Sequence, residues 1–218
     1  MFKRCLRFAA QLALALGVSS AMAGAYEDFF KSTINDDAGA VGSLLVRGFD
    51  PNSRDEKGQN LLYLSQRDGA LKVAQVLLDH PQLRIDLPNN AGETAVMMAA
   101  LRDQDTWVGK LLDKGASIEG VTEAGKPGWT PLHYAAASPG ARSVRLLLAR
   151  GARIDSRSPN GTTPLMMAAQ YGTEEAVDAL LAQGADLRLR NDLGLGPVDF
   201  AQRGAREALA RRLAAASR

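Results

Sequence analysis

The residues best suited to acid–base or metal chemistry near neutral pH are the two histidines, His80 and His133, and they stand 53 residues apart. No His-x-x-x-His pair exists to hold zinc, and Cys5 is the only cysteine, so no second thiol is present to form a disulfide or a thiolate metal site. Serines are present, but none lies in a Gly-x-Ser-x-Gly elbow that would expose a nucleophile. Gly194-x-Gly196 opens like a phosphate-binding turn, yet Asp199 occupies the place of the third glycine. Asp50-x-Asn52 opens like a calcium loop, but Arg54 replaces the third ligand. The adjacent carboxylates Asp36-Asp37, Asp55-Glu56 and Glu174-Glu175 fall at turns or helix starts, where a negative charge offsets unpaired N–H groups. The expectation is therefore a chain with no catalytic residues, no cofactor and no metal site.

The ends and the composition narrow the setting. Lys3, Arg4 and Arg7 precede the apolar run 8–18, and Ala21-Met22-Ala23 fits a small-x-small cleavage site, so residues 1–23 read as a secretory signal peptide. The run is shorter than the roughly 18 residues a membrane-spanning helix needs, so no membrane insertion is expected after cleavage. Removing the segment leaves 23 Lys+Arg against 24 Asp+Glu and no cysteine. An exported chain without disulfides points to the bacterial periplasm. A near-neutral balance offers nucleic acid no concentrated basic face, so no nucleic-acid partner is expected.

The chain is organised by a repeat. Gly58, Gly92, Gly128, Gly161 and Gly194 recur at 34, 36, 33 and 33 residues. The phrases that follow agree: "GETAVMMAA" at 92–100, "GWTPLHYAA" at 128–136, "GTTPLMMAA" at 161–169 and "GLGPVDFAQ" at 194–202. A second phrase keeps step, with "LLDKGASIE" at 111–119, "LLARGARID" at 147–155 and "LLAQGADLR" at 180–188. Such a period means a stacked array in which each unit buries its apolar face on its neighbours.

Each phrase has a physical reading. Thr130 and Thr163 occupy helix N-cap positions and Pro131 and Pro164 the first helical positions. The alanine pairs allow neighbouring helices to approach closely. Gly115, Gly151 and Gly184 end the second helix of each unit, because glycine tolerates the left-handed conformation there. Trp107 falls where the second helix turns an aliphatic residue inward, so it is expected in the core.

With its Thr-Pro-Leu-His-x-Ala-Ala and Gly-Ala-Asp phrases, the chain resembles the ankyrin-repeat family across residues 26–216. That resemblance implies an all-α repeat solenoid, a stack of helix-turn-helix units with β-hairpin-like fingertips. The expected organisation is a signal peptide at 1–23 and one repeat domain at 24–218. Within it, 26–57 is an N-terminal cap, 58–91, 92–127, 128–160 and 161–193 are repeats, and 194–218 is a C-terminal cap. The second unit departs from the pattern, with Asn60-Leu61-Leu62-Tyr63 in place of the turn and "DHPQLRID" in place of the Gly-Ala-Asp link. The stretch "EGVTEAGKPGWT" at 119–130 adds three residues to one loop, a hint of function.

The resemblance also implies recognition of a protein partner by a monomer, through the fingertips and the inner face of the first helices. His133 then fastens adjacent turns, a structural role shared with Thr130, Pro131, Thr163 and Pro164. The residues the fold leaves free for a partner are Arg67, Asp68, Glu93, Leu101, Arg102, Trp129, Arg157, Gln170, Tyr171 and Arg190. Trp129 could equally pack on its own loop. The expected function is a non-catalytic periplasmic module that scaffolds, protects or inhibits another protein, an immunity-type inhibitor included. The alternative is a secreted effector that binds host proteins.

Overall fold

A computed structural model of the chain describes residues 20–121 and 128–217; the predicted signal segment as far as residue 19 and the middle of the enlarged loop, 122–127, lie outside the described residues. Among the described residues the regular elements are twelve helices and no strand, an all-α repeat solenoid. The chain divides into two compact units, Met1–Asn90 and Ala91–Arg218.

The first unit holds α1 (Ser20–Ile34), α2 (Ala38–Val46), α3 (Leu61–Asp68) and α4 (Leu71–Leu78). The helices form antiparallel-connected pairs, with α1 against α3 and α2 against α4. Phe29 on α1 is fully buried and meets Phe49 edge-on at 5.6 Å, while Tyr26 lies 4.9 Å from the same ring. The irregular second repeat keeps its helix start by other means. Asn60 accepts the Tyr63 N–H at 2.9 Å, as a cap does, and its Nδ2 donates to the Leu87 carbonyl at 2.7 Å. Asn52, the false calcium ligand, donates to the Gln82 carbonyl and accepts the Arg84 N–H, clamping the next link.

The second unit holds α5 (Ala95–Leu101), α6 (Asp105–Asp113), α7 (Pro131–Ala136), α8 (Arg142–Ala149), α9 (Pro164–Tyr171), α10 (Glu174–Ala182), α11 (Pro197–Arg203) and α12 (Glu207–Ala216). The first helices pack in succession as α5, α7, α9 and α11, and the second helices as α6, α8 and α10. The first helices meet more closely because Ala135, Ala136, Ala168 and Ala169 line their seam, all fully buried. Leu111, Leu147 and Leu180 of the second helices fill the layer behind. Trp107 sits in that layer, with the Lys110 ammonium 4.6 Å from its ring centroid. Gly115, Gly151 and Gly184 end the second helices with φ of 97°, 87° and 91°, the left-handed stop.

The fingertips are tighter than hairpins of paired strands. Ser158 donates to Thr162 and Gly161 to Ser158; Asn191 donates to Leu195 and Gly194 to Asn191; Asp55 and Gln59 repeat the pattern in the first unit. Each is a closed turn stabilised by its own side chains, and one isolated bridge, Arg54 with Asn60, is the extent of β pairing among the described residues.

Candidate protein-binding face

The first turn of each first helix of the second unit carries one device in three chemical versions. In the fourth repeat the Thr130 N–H donates to His133 Nδ1 at 3.2 Å, and the Thr130 hydroxyl lies 2.9 Å from the same nitrogen. His133 Nε2 lies 2.9 Å from the Thr162 carbonyl, which only accepts, so the ring is the neutral Nε2–H tautomer. The histidine thus ties its own helix start to the next fingertip. Met97 and Met166 place their sulfurs where Nδ1 stands, accepting from the N–H of Thr94 and Thr163. Asp199 does the same with a carboxylate, accepting from the Gly196 N–H at 2.8 Å.

Thr163 caps its helix through its hydroxyl, accepting the Met166 N–H at 3.4 Å. Thr130 is likewise the N-cap of α7, in a capping box with His133, and its hydroxyl also meets the histidine ring and approaches Ser156 Oγ at 3.3 Å. A hydroxyl donates one hydrogen bond and accepts two, so serving the ring nitrogen does not take it from the helix start. Burial pushes the His133 pKa down from its ordinary value to about 4, against the opposing pull of the Thr162 carbonyl. No ligand geometry surrounds it, and no group of three or more His, Cys, Asp or Glu that could hold a metal ion occurs among the described residues.

Of the residues expected to face a partner, Arg67 and Asp68 belong to the first unit. They pair with each other, with Arg67 Nη2 2.7 Å from Asp68 Oδ2, and Arg67 Nη1 also donates to Gln59 at 2.8 Å. The other eight all fall in the second unit, at the two ends of its first helices. At the fingertip end are Glu93, Trp129, Arg157 and Arg190; at the C-terminal end are Leu101, Arg102, Gln170 and Tyr171. An eight-residue helix such as α9 separates the two rows by about 12 Å.

The fingertip row is largely engaged in holding the fold. Glu93 accepts from the Tyr134 hydroxyl at 2.9 Å. Arg157 donates to the Arg190 carbonyl at 2.8 Å, linking one fingertip to the next, and Arg190 pairs with Asp199 at 3.2 Å. Trp129 is half-buried, edge-on to His133 with ring centroids 5.3 Å apart, so it packs on the turn it follows. One apolar fingertip residue escaped the sequence reading. Leu193 is 74% exposed at the position filled by Asn160 one repeat earlier, and that swap of a turn-forming polar residue for leucine was a visible signal.

The helix-end row is freer. Tyr171 is 61% exposed, Arg102 is exposed, and Leu101 and Gln170 are half-exposed. Close backbone approaches assemble this row: Gly172 lies against the Ala136 carbonyl, and Gly204 against that of Gln170. Arg206 reinforces it by donating to the Ala168 and Ala169 carbonyls at 2.8 and 3.0 Å, satisfying the end of α9. Asp103, in the left-handed region with φ of 52°, reaches the start of α8 and accepts the Ser143 N–H at 2.8 Å. Asp36, with φ of 56°, does the same for the Lys72 and Val73 N–H groups of α4. Both stand in register with Gly69, one repeat period away, which is how the sequence could have revealed them.

Comparison with known proteins fits this geometry. The family model for ankyrin repeats (three copies) matches residues 30–122 and 120–191. Among curated proteins, the chain is 31% identical over 118 residues to neurogenic locus notch homolog protein 2 of Homo sapiens, covering 54% of this chain and 5% of that protein. It is 32% identical over 132 residues to the tyrosine-protein kinase Shark of Drosophila melanogaster, covering 60% of this chain and 14% of that one. The chain thus spans only a small part of these relatives' length. Among solved structures it is similar, with a TM-score of 0.71 and 28% identity, to a chain in the complex of the Bd0816 predatory endopeptidase from Bdellovibrio bacteriovorus with immunity protein Bd3460. That likeness covers 86% of this chain and 96% of the other. Repeat period, helix-pair stacking and the family match over most of its length lead to one conclusion: the chain belongs to the ankyrin-repeat family.

Proposed function

We propose that this protein is an exported immunity-type module that binds a peptidase and holds it inactive. The observation that carries the reading is the likeness to the immunity-protein complex, because it runs nearly end to end over both chains and not over a few repeats alone. The site supports the same reading. Its titratable side chains are engaged in fold-holding contacts, as His133, Glu93, Arg157 and Arg190 are, whereas its exposed aromatic and basic residues are of the types that dominate protein interfaces. Export to the periplasm, read from residues 1–23, would place the module where a lytic enzyme in transit endangers its producer.

The test is capture followed by inhibition. Tagged protein is used to pull partners from the periplasm of its own cells with cross-linking, and captured peptidases are assayed with and without a stoichiometric amount of the module. The expected result is a peptidase whose hydrolysis stops near one equivalent. Failure to capture any peptidase, or a captured one that stays fully active at saturation, would overturn the proposal.

A further inference from the structure

The arginines of the second unit fall into two groups. Most are neutralised in place: Arg142 lies 3.1 Å from Asp103 and 3.4 Å from Asp105, Arg150 2.8 Å from Asp113, and Arg212 2.9 Å from Asp178. Arg102, Arg145, Arg203 and Arg211 are exposed with no carboxylate within ion-pair distance among the described residues, and of these Arg102 and Arg203 lie at the ends of first helices, α5 and α11. The Arg203 guanidinium lies 6.0 Å from the centroid of the Phe200 ring. Between the two arginines stands Tyr171, the most exposed aromatic residue of the described chain.

The backbone approaches described above fix their order. Gly172, next to Tyr171, abuts the end of α7, and Gly204, next to Arg203, abuts the end of α9. With neighbouring helices about 8–10 Å apart, the row from α5 to α11 spans about 25–30 Å. An extended peptide of about eight residues has that reach. The exposed and half-exposed side chains at these helix ends include Leu101, Arg102, Gln170, Tyr171, Gln202 and Arg203, none of them a carboxylate.

We infer that this row receives an acidic segment of the protein partner, with its carboxylates on Arg102 and Arg203 and an apolar or aromatic side chain on Tyr171. The inference rests on the reading of the protein as a binding module and specifies the chemistry of what it binds. Guanidinium–carboxylate pairs supply directional bonds and electrostatic steering, and the phenol ring supplies the anchor area. Such binding weakens with salt, because exposed charges are screened.

Random dodecapeptides displayed on phage, selected on the purified protein as cells process it, provide the probe. Enriched peptides are then synthesised and their affinities measured by fluorescence anisotropy. The expected sequences carry two or more Asp or Glu flanking an aromatic or aliphatic residue. Their affinity should fall at least tenfold in R102E/R203E and in Tyr171→Ala, and severalfold between low and high salt. R102Q/R203Q, which adds no new charge, gives the same test if the reversed variant loses its circular dichroism. Enrichment of neutral or basic peptides, no enrichment, or acidic peptides that bind the arginine variants within twofold of the parent would overturn the inference. The two proposals fail separately. A peptidase inhibited equally by R102E/R203E removes this inference and leaves the inhibitor reading standing; acidic peptides that bind through the row, with no peptidase inhibited, do the reverse.

Discussion

Replacing His133 with methionine tests how the stack is fastened, because two neighbouring repeats already use methionine there. In His133→Met the sulfur can take over the Thr130 N–H, as Met97 and Met166 do for Thr94 and Thr163. What is lost is the Nε2–H bond to the Thr162 carbonyl, 2.9 Å long and buried. The Thr162 carbonyl keeps its bond from the Ser158 N–H, so the loss is one buried hydrogen bond, about 1 kcal/mol, and at pH 7.5 the variant should be less stable by about that amount. Acid reverses the order. The folded-state pKa of His133 is about 4, below its ordinary value near 6.5, so the native state binds fewer protons than the unfolded one between those limits. Its contribution is therefore complete above pH 6.5, is lost as pH falls from 6.5 towards 4, and is gone below 4. At about 1.4 kcal/mol per pH unit the full loss is about 3 kcal/mol, most of it already felt at pH 4.5. Carboxylate titrations act on both proteins alike and cancel in the comparison. Urea unfolding of parent and variant, followed by circular dichroism from pH 7.5 to 4.5, should give stability curves that cross between pH 5 and 6. Curves that stay parallel throughout would refute the account of His133 as a buried neutral clasp.

Asp103 should show the two halves of its role separately: Asp103→Gly keeps the left-handed backbone and loses only the cap on α8, about 1 kcal/mol, whereas Asp103→Ala should lose about a further 1 kcal/mol to backbone strain. Equal urea midpoints for the two variants would contradict that assignment. Gly172→Ala, whose added methyl would meet the Ala136 carbonyl although φ is an ordinary −83°, should cost about 1–3 kcal/mol by steric conflict alone, read in the same assay. Tyr171→Ala should leave stability within about 0.5 kcal/mol and weaken partner capture at least tenfold, while Trp129→Ala, which removes an aromatic contact with His133, should lower stability by about 1 kcal/mol. If Tyr171→Ala unfolds the protein and Trp129→Ala does not, the assignment of contact and packing roles is reversed.

The repeat was legible because it is written locally. A threonine before a proline, an alanine pair and a terminal glycine each specify backbone geometry within a few residues, and their recurrence every 33 to 36 residues implies stacking without any knowledge of a partner. The same local reading located the two rows at the ends of the first helices and the buried place of Trp107. It could not say which polar side chains in those rows were already occupied. Arg157 and Arg190 look free in the sequence, yet their partners, the Arg190 carbonyl and Asp199, belong to the neighbouring fingertip and helix. Thr130 caps its helix as read, but its hydroxyl also meets a ring whose own position depends on Thr162 in the next repeat. Asp36 reads as offsetting N–H groups at a nearby helix start and instead caps a helix 36 residues on. What the amino-acid sequence determined by itself was the helix pairs, their limits and their order, since caps and stops act through adjacent backbone. Only the tertiary structure decided which charges are spent and which remain for a partner, because ion pairs and long hydrogen bonds form between side chains that stacking, not chain order, brings within 3 Å.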